Sequence, residues 1–445
     1  MRASCVAAAV GLAGLAAADD AGAAGFAIKQ QSAEAQGNAF AGATAGAENP
    51  SYMFFNPAAI GRFDRSSVQL EASGVLTSLE FRDAEGTTVL GTPIGGRDSK
   101  GDVADDGVIP SFYGVAVPHE DFRLGLAINV PFGLGTEYPD DWVGRYHTLK
   151  SSFVSVNINP VLAYKPADWL TVAGGLQFQY SEAELESAVD FGTIGAISGI
   201  PGAAPTTQDG RARIEGEGWG YGFNLGALAE PRRGTRLGIA YRSAIDTELE
   251  GDARFDLDAA GVGAAIRGAT GAFADVDAET DVELPPMLSF GIHQDLGEHF
   301  SVMAEAQWTG WSTFDELVIE FDNAAQPDNV TEFEWEDQWF FAVGGTWRPD
   351  DRLTLRLGGA FDQTPTRNRY RTPRIPDADR WWLSAGIGWQ ALDNLSFDLA
   401  YSYILFDEAE VRLSAADRGN AVRGDLRAEY QNQIHVLSVA ARWRF

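Results

Sequence analysis

Apolar and polar residues alternate with a period of two over most of this chain. Phe122, Leu124, Leu126, Ile128 and Val130 fall on one face of a pleated strand, with Arg123, Gly125, Ala127 and Asn129 on the other. The pattern returns in Leu170, Val172, Leu176, Phe178 and Tyr180 against Thr171, Gln177 and Gln179, and in Leu395, Phe397, Leu399, Tyr401 and Tyr403 against Asn394, Ser396, Asp398 and Ser402. Along the whole chain it predicts fourteen strands, near 66–82, 110–119, 122–132, 151–165, 169–187, 212–230, 234–250, 282–295, 299–321, 332–348, 352–363, 380–391, 394–411 and 428–445. A soluble β-sandwich carries the same period, so three further features decide. Trp and Tyr sit near strand ends on the apolar faces (Trp169, Tyr180, Tyr241, Trp308, Trp347, Trp389, Trp443), where a membrane barrel places its aromatic girdles. Short turns such as 165–168 and 348–351 alternate with long ones, 83–109, 190–210 and 251–281, the rhythm of periplasmic turns and external loops. The last strand puts Leu437, Val439, Ala441, Trp443 and Phe445 on one face and stops on the aromatic. The predicted fold class is all-β, a transmembrane antiparallel barrel of about fourteen strands.

The stretch Ala24 to Phe63 breaks the pattern. It is rich in Ala, Gly and polar residues, and its helical period is too weak to build a core. A barrel of this size has a lumen too wide for wall side chains to fill, so it holds either water or a plug. The expected organisation is a secretion signal over 1–23, a plug or hatch over 24–63, and the barrel with long external loops over 64–445. The signal reads from Arg2, the apolar run Val6 to Ala18, and the small pair Ala21 and Ala23. The single cysteine, Cys5, lies inside it, which leaves the mature chain without a thiol or a Cys-ligated metal. The 445 residues carry a net charge of −30, which argues against nucleic acid as a partner and fits solvated loops with a polar lumen. No window after the signal approaches the ~20 apolar residues of a membrane helix, so a membrane-spanning chain has to close as a barrel.

Catalytic chemistry finds no footing. The histidines His119, His147, His293, His299 and His435 are scattered with no metal spacing, and no Ser lies in a nucleophile elbow. His293 alternates inward and reads as a lumen hydrogen-bonder. The aromatic and acidic run Glu332 to Phe341 reads as an external strand end rather than a site. No catalytic residue, cofactor or metal is expected.

AGF at Ala24 to Phe26, the small-residue run through Gly37 and Gly42, and NPA at Asn56, Pro57 and Ala58 are followed by YPDDWVGRYHTLKS (Tyr138 to Ser151) and RTPRIPDADRWWLSAG (Arg371 to Gly386). In that order they resemble the FadL-type outer-membrane long-chain fatty acid transporters. The resemblance implies passive uptake of long-chain fatty acids or similar hydrophobic compounds across the outer membrane of a Gram-negative cell, with the plug as gate. A sixteen-carbon tail prefers hydrocarbon to water by on the order of 12 kcal/mol, so a watery pore is the wrong exit and a sideways path into lipid is the right one. Pro131 lacks an N–H for the ladder, and the resemblance places the lateral opening at this kinked third strand, with Asn129, Pro131, Phe132 and Gly133.

Ligand contacts follow from the same resemblance. Phe191, Ile194, Ile197 and Ile200 in one long loop, and Val262, Ala265, Ile266 and Phe273 in another, recur at roughly helical spacing; the family places a low-affinity site between these loops. Arg371 occupies the place of an arginine the family uses near its high-affinity pocket, with Arg145 and Lys150 as further candidates for the carboxylate head. Ala24, Gly25 and Phe26 would lie in or beside the pocket, and Asn56, Pro57 and Ala58 would anchor the plug against the first strand. Expected partners are the hydrophobic small molecule, outer-membrane lipid and lipopolysaccharide, and the barrel-assembly machinery, which reads a terminal aromatic such as Phe445. Similar proteins carry aromatic hydrocarbons, and the residues leave that reading open beside a general diffusion porin and a surface adhesin or phage receptor.

Overall fold

The computed structural model describes residues 25–445; the signal reading of 1–23 and the gate residue Ala24 lie outside them. Strand β1 (Ser67–Thr87) pairs with β2 (Gly107–Ala116) on one side and with the last strand, β20 (Asp425–Arg444), on the other, which closes the sheet on itself. Between them run β3 (Phe122–Asn129), β4 (Gly133–Glu137), β5 (Lys150–Ala167), β6 (Leu170–Asp190), β7 (Asp209–Arg232), β8 (Thr235–Arg242), β9 (Ile245–Asp256), β10 (Val276–Leu284), β11 (Met287–Leu296), β12 (Phe300–Thr309), β13 (Glu316–Phe321), β14 (Asn329–Glu332), β15 (Gln338–Trp347), β16 (Leu353–Asp362), β17 (Arg380–Leu392), β18 (Leu395–Phe406) and β19 (Ala409–Leu413). Six staves are each interrupted once, at β3/β4, β8/β9, β10/β11, β12/β13, β14/β15 and β18/β19, so the twenty segments make fourteen staves. Each predicted strand coincides with one of them.

The wall is inside-out relative to a soluble protein. On β1, Gln69, Glu71 and Ser73 are buried toward the lumen while Leu70 and Leu76 are 59% and 57% exposed on the outside. Trp169, Trp389 and Trp443 also stand exposed there, as lipid-facing girdle residues should. The terminal Phe445 is exposed, and its N–H donates to Ser66 O at 2.9 Å.

Residues 25–63 lie inside. They touch staves around the whole circumference, which only an interior segment can do: Ala33 N–H donates to Glu71 Oε2 (2.7 Å), Asn38 Nδ2 to Gly345 O (2.7 Å), Thr44 N–H to Glu305 Oε2 (3.1 Å), Asn56 Nδ2 to Ala227 O (3.1 Å) and Gln36 Nε2 to Val436 O (3.2 Å). One short helix, α1 (Ala33–Gly37), is capped by Ser32, and two 3-10 turns, Pro50–Phe54 and Pro57–Arg62, each start from an Asn cap with Pro in the first position. Glycines in the wall seat this irregular backbone. A Cβ on Gly238 would stand 2.0 Å from Thr44 O, and one on Gly358 2.1 Å from Asn38 O. The loop helices α2 (Phe191–Ile197) and α3 (Val262–Thr270) pack on each other through Phe191, Val262 and Ile266.

Candidate functional site

Stave three breaks where Pro131 falls. β3 ends at Asn129 and β4 begins at Gly133; β2 pairs with β3 only between Phe112↔Ile128 and Ala116↔Leu124, and β4 pairs only with β5. Residues 107–111 of β2 and 130–135 therefore face each other without a ladder, until Ala104 meets Thr136 and Glu137 N–H donates to Val103 O at 2.8 Å.

The start of the plug occupies this break. Ile28 N–H donates to Pro131 O (2.8 Å) and Gly133 N–H to Phe26 O (2.9 Å), which sets Ala27 opposite Phe132 as a short antiparallel pair. Gln31 spans the gap: its side-chain nitrogen donates to Val130 O at 2.5 Å, and its side-chain oxygen accepts from Ser111 Oγ at 2.9 Å. Tyr113 fixes it further, donating its hydroxyl to Gln31 O at 2.7 Å.

Phe26 is buried in a box of rings, with centroids 5.9 Å to Phe132, 5.2 Å to Phe153, 5.0 Å to Trp311, 5.7 Å to Phe314 and 5.9 Å to Trp335. The ring also closes one side of an apolar cavity of about 90 Å³, whose lining includes Leu134, Leu249, Ile319, Phe333 and Ile375, with Arg374 among them. A cavity of about 150 Å³ holds benzene, so this space as it stands takes only a short stretch of chain. A longer tail needs Phe26 to move.

Residues 14–445 match the sequence model of the outer membrane protein transport protein family (OMPP1/FadL/TodX). The chain belongs to that family. It is 28% identical to the long-chain fatty acid transport protein of Escherichia coli K12, over 86% of this chain and 87% of that one. The crystal structure of a Pseudomonas aeruginosa FadL homologue superimposes with a TM-score of 0.86 at 25% identity, covering 95% of this chain and all of that one. The Pseudomonas putida toluene transporter TodX shares the fold, with a TM-score of 0.68 at 18% identity over 89% and 94% of the two chains. This FadL/TodX member is thus a passive outer-membrane transporter of hydrophobic compounds in a Gram-negative cell, and not an enzyme.

Within the FadL/TodX barrel, Phe26 lines the apolar cavity, and Gly25 sits beside it with its N–H donated to Asp377 Oδ2 at 3.1 Å. Asn56, Pro57 and Ala58 anchor the plug, but against β7 and not the first strand: Asn56 reaches Ala227 O, and a Cβ on Gly226 would strike Asn56 and Pro57. The reason is the Asn cap itself, which turns the chain toward the glycine gap in β7. Arg371 is spent on the loop, donating to Asp377 O (2.7 Å), Asn368 Oδ1 (2.7 Å) and Glu410 O (3.1 Å), and burial holds its guanidinium below the usual range. Arg145 is held by Asp209 at 2.8 Å and lies over the Tyr146 ring, and Lys150 pairs with Glu184 at 2.7 Å. Neither Arg371 nor Arg145 is on the lining of the apolar cavity; Arg374 is.

Phe191, Ile194, Ile266 and Phe273 come together as expected of two facing loops, yet as a packed cluster: Phe191 is fully buried, and its ring lies 5.1 Å from that of Phe273. The run Glu332 to Phe341 does more than end a strand, because Phe333 and Trp335 turn inward to the ring box. Alternation conceals this, since residues 333–337 lie outside any strand. Gln31 carried no sequence signal at all; only the broken stave gives it a role.

Proposed function

We propose that this protein admits long-chain fatty acids or similar hydrophobic compounds through a gate formed by residues 25–31 of the plug, and that the cargo leaves sideways through the break in stave three. One observation carries the reading: Phe26, whose ring closes the apolar cavity, and Ile28 two residues on are hydrogen-bonded to the edge of the wall break at Gly133 and Pro131. A tail entering the cavity displaces Phe26, and withdrawing Phe26 strips the break of its brace. A cargo that prefers hydrocarbon then has a short apolar path into the bilayer. The ring-lined wall of the cavity favours a second cargo class, single-ring hydrocarbons, which enter by the same route once Phe26 moves.

Ala27 and Phe132 test the gate. They form a pair without hydrogen bonds between themselves, flanked by the Ile28 and Gly133 bonds, the narrow kind of site with Cα atoms roughly 4.5 Å apart that accepts a disulfide. No cysteine occurs among residues 25–445, so the double variant A27C/F132C forms a single defined bridge. Oxidised, it should block uptake of labelled fatty acid; reduced, it should restore it. Equal uptake in both states would end the gating proposal.

A further inference from the structure

Four consecutive staves, seven to ten (β8/β9, β10/β11, β12/β13 and β14/β15), are interrupted at one height. On staves seven and eight the pairs Arg242↔Met287 and Ile245↔Leu284 bracket Ser243–Ala244 and Pro285–Pro286, and the two prolines have no N–H to carry a ladder across. On staves nine and ten the last pair below the gap is Thr309↔Gln338, and the first above it is Glu316↔Glu332. What stands above this line is attached unevenly. β9 pairs with β7 from Arg211↔Asp256 to Glu217↔Glu250 and with β10 from Ile245↔Leu284 to Ala253↔Val276. β13 meets β10 only at Ala278↔Phe321 and Glu279↔Glu320, with Thr280 Oγ1 donating to Val318 O (2.8 Å) and Asp322 N–H to Asp277 O (3.0 Å) alongside. Among the described residues β14 pairs with β13 alone, so the hairpin of residues 316–332 has one short ladder and one edge without any.

This hairpin covers the apolar cavity. Leu317 and Ile319 line that space, and Phe333 lines it from the hairpin's neck. The edge without a ladder is held by side chains from the loop before β20: Arg418 pairs with Glu316 at 2.6 Å, and Arg423 donates to Thr331 Oγ1 (3.3 Å) and to the side-chain oxygen of Asn329. The tip rests on the end of α3, where Asn323 Nδ2 donates to Gly271 O (2.9 Å) and Gln326 Oε1 accepts the Phe273 N–H (2.8 Å). Arg418 and Glu316 are 59% and 38% exposed, so their pairing is the weak kind that opens readily. At the neck, Asp315 O accepts from Phe333 N–H (2.7 Å) and Glu334 N–H (2.8 Å), and Glu334 has a φ of 47°, a left-handed conformation that is costly for a residue with a side chain. The neck also carries most of the ring box. Phe314 lies 4.8 Å from Phe333 and Trp311 4.9 Å from Trp335, centroid to centroid, and Trp311, Phe314 and Trp335 all pack on Phe26.

We propose that the hairpin 316–332 is the lid under which cargo enters the apolar cavity from outside the cell. It lifts at its neck, parting from β10 on one side and from Arg418 and Arg423 on the other, and Leu317 and Ile319 then offer an arriving tail apolar surface in place of water. Because the neck supplies three of the rings around Phe26, lifting the lid loosens the arm, and entry from outside is linked to release through stave three at one cluster of side chains. The lid rests on the cargo reading above and gives it an entrance.

The test locks the lid with A278C/F321C. Ala278 and Phe321 stand next to the bonded pair Asp277 and Asp322, which makes theirs the narrow, non-bonded kind with Cα atoms roughly 4.5 Å apart. Binding of 11-(dansylamino)undecanoic acid to the full-length barrel in nanodiscs is followed by stopped-flow fluorescence. With the bridge oxidised, association should slow on the order of ten-fold or more, and reduction should restore it. Arg418→Gln, on the exposed latch, should raise association and dissociation rates together by about two- to five-fold, the worth of one exposed ion pair, and leave Kd unchanged. It also carries the test if the double variant does not fold. If oxidised and reduced A278C/F321C bind at the same rate, or if Arg418→Gln leaves both rates unchanged, the lid is overturned while the hydrophobic-cargo reading stands. If wild type does not bind the probe at all, both fall.

Discussion

The gate makes its sharpest prediction at Phe26. Its ring is 3% exposed and meets five other rings, whereas the rest of the arm is tied to the wall break by two backbone hydrogen bonds and the Gln31 bridge. Truncating a buried Phe to Ala costs about 3–5 kcal/mol, part of it from aromatic contacts worth about 0.5–1.5 kcal/mol each beyond their area. A large share of what docks the arm is therefore in this one side chain, beside the buried Ile28 and Gln31. Taking about 3 kcal/mol, Phe26→Ala shifts the balance between docked and released arm by on the order of a hundred-fold. Native-state hydrogen exchange reads this directly, because the Ile28 and Gly133 amides are protected only while the arm is docked. Their protection should fall by on the order of a hundred-fold. The Gln36 amide, bonded to Ser32 O within α1, and the Ala59 amide, bonded to Asn56 O, should keep theirs. Uniform loss across the plug would show that Phe26 supports the whole segment rather than a separable arm. Unchanged protection at Ile28 would show that the ring does not hold the arm at all.

Two further substitutions separate the arm from the body of the plug. Gly238→Val drives a side chain into the Thr44 carbonyl and should unseat the plug body; single-channel recordings should then show a steady ion conductance that wild type lacks. Gln31→Ala removes the bridge between Val130 and Ser111 without touching the cavity, so cargo affinity should hold while initial uptake rises; a fall in affinity would assign Gln31 to binding instead.

The wall was legible because the outer face of every stave meets lipid and the inner face meets polar plug or water, which forces a period of two through Leu70, Gln69 and their counterparts. The NP pairs at Asn49–Pro50 and Asn56–Pro57 were legible too, as Asx caps with Pro in the first turn position. What they anchor against was not. That contact depends on glycines such as Gly226 and Gly238, which in a strand sequence read only as weak positions and gain meaning when another backbone arrives. The different surroundings of Arg371 and Arg374 were hidden for a related reason: the loop before β17 has no period, so three residues of offset decide whether a guanidinium braces the loop or lines the cavity. Phe333 and Trp335 were concealed in the same way by the interruption between β14 and β15.

The two parts of the plug are held by different physics, and that difference is what separates a hydrophobic-compound channel from a diffusion porin. The body carries buried ion pairs to the wall: Arg356 joins Glu34 (2.7 Å) to Asp398 (2.8 Å), and Arg236 holds Glu48. Pulling either acid off its arginine leaves a buried charge uncompensated, at about 3–5 kcal/mol apiece. The arm of residues 25–31 contains no ion pair among the described residues; its contacts are rings and hydrogen bonds, and its one charged group, the Lys29 ammonium, is met by Gln307 Oε1 (2.8 Å) and the Phe340 ring (4.1 Å), neither of them a carboxylate. Binding a greasy tail replaces ring contacts with contacts of the same kind, so it releases the arm at little net cost and offers nothing to the charged body. In the proposed gate, the lumen below stays sealed to ions while the wall break opens to lipid, so a molecule is carried only if it is apolar enough to prefer that exit.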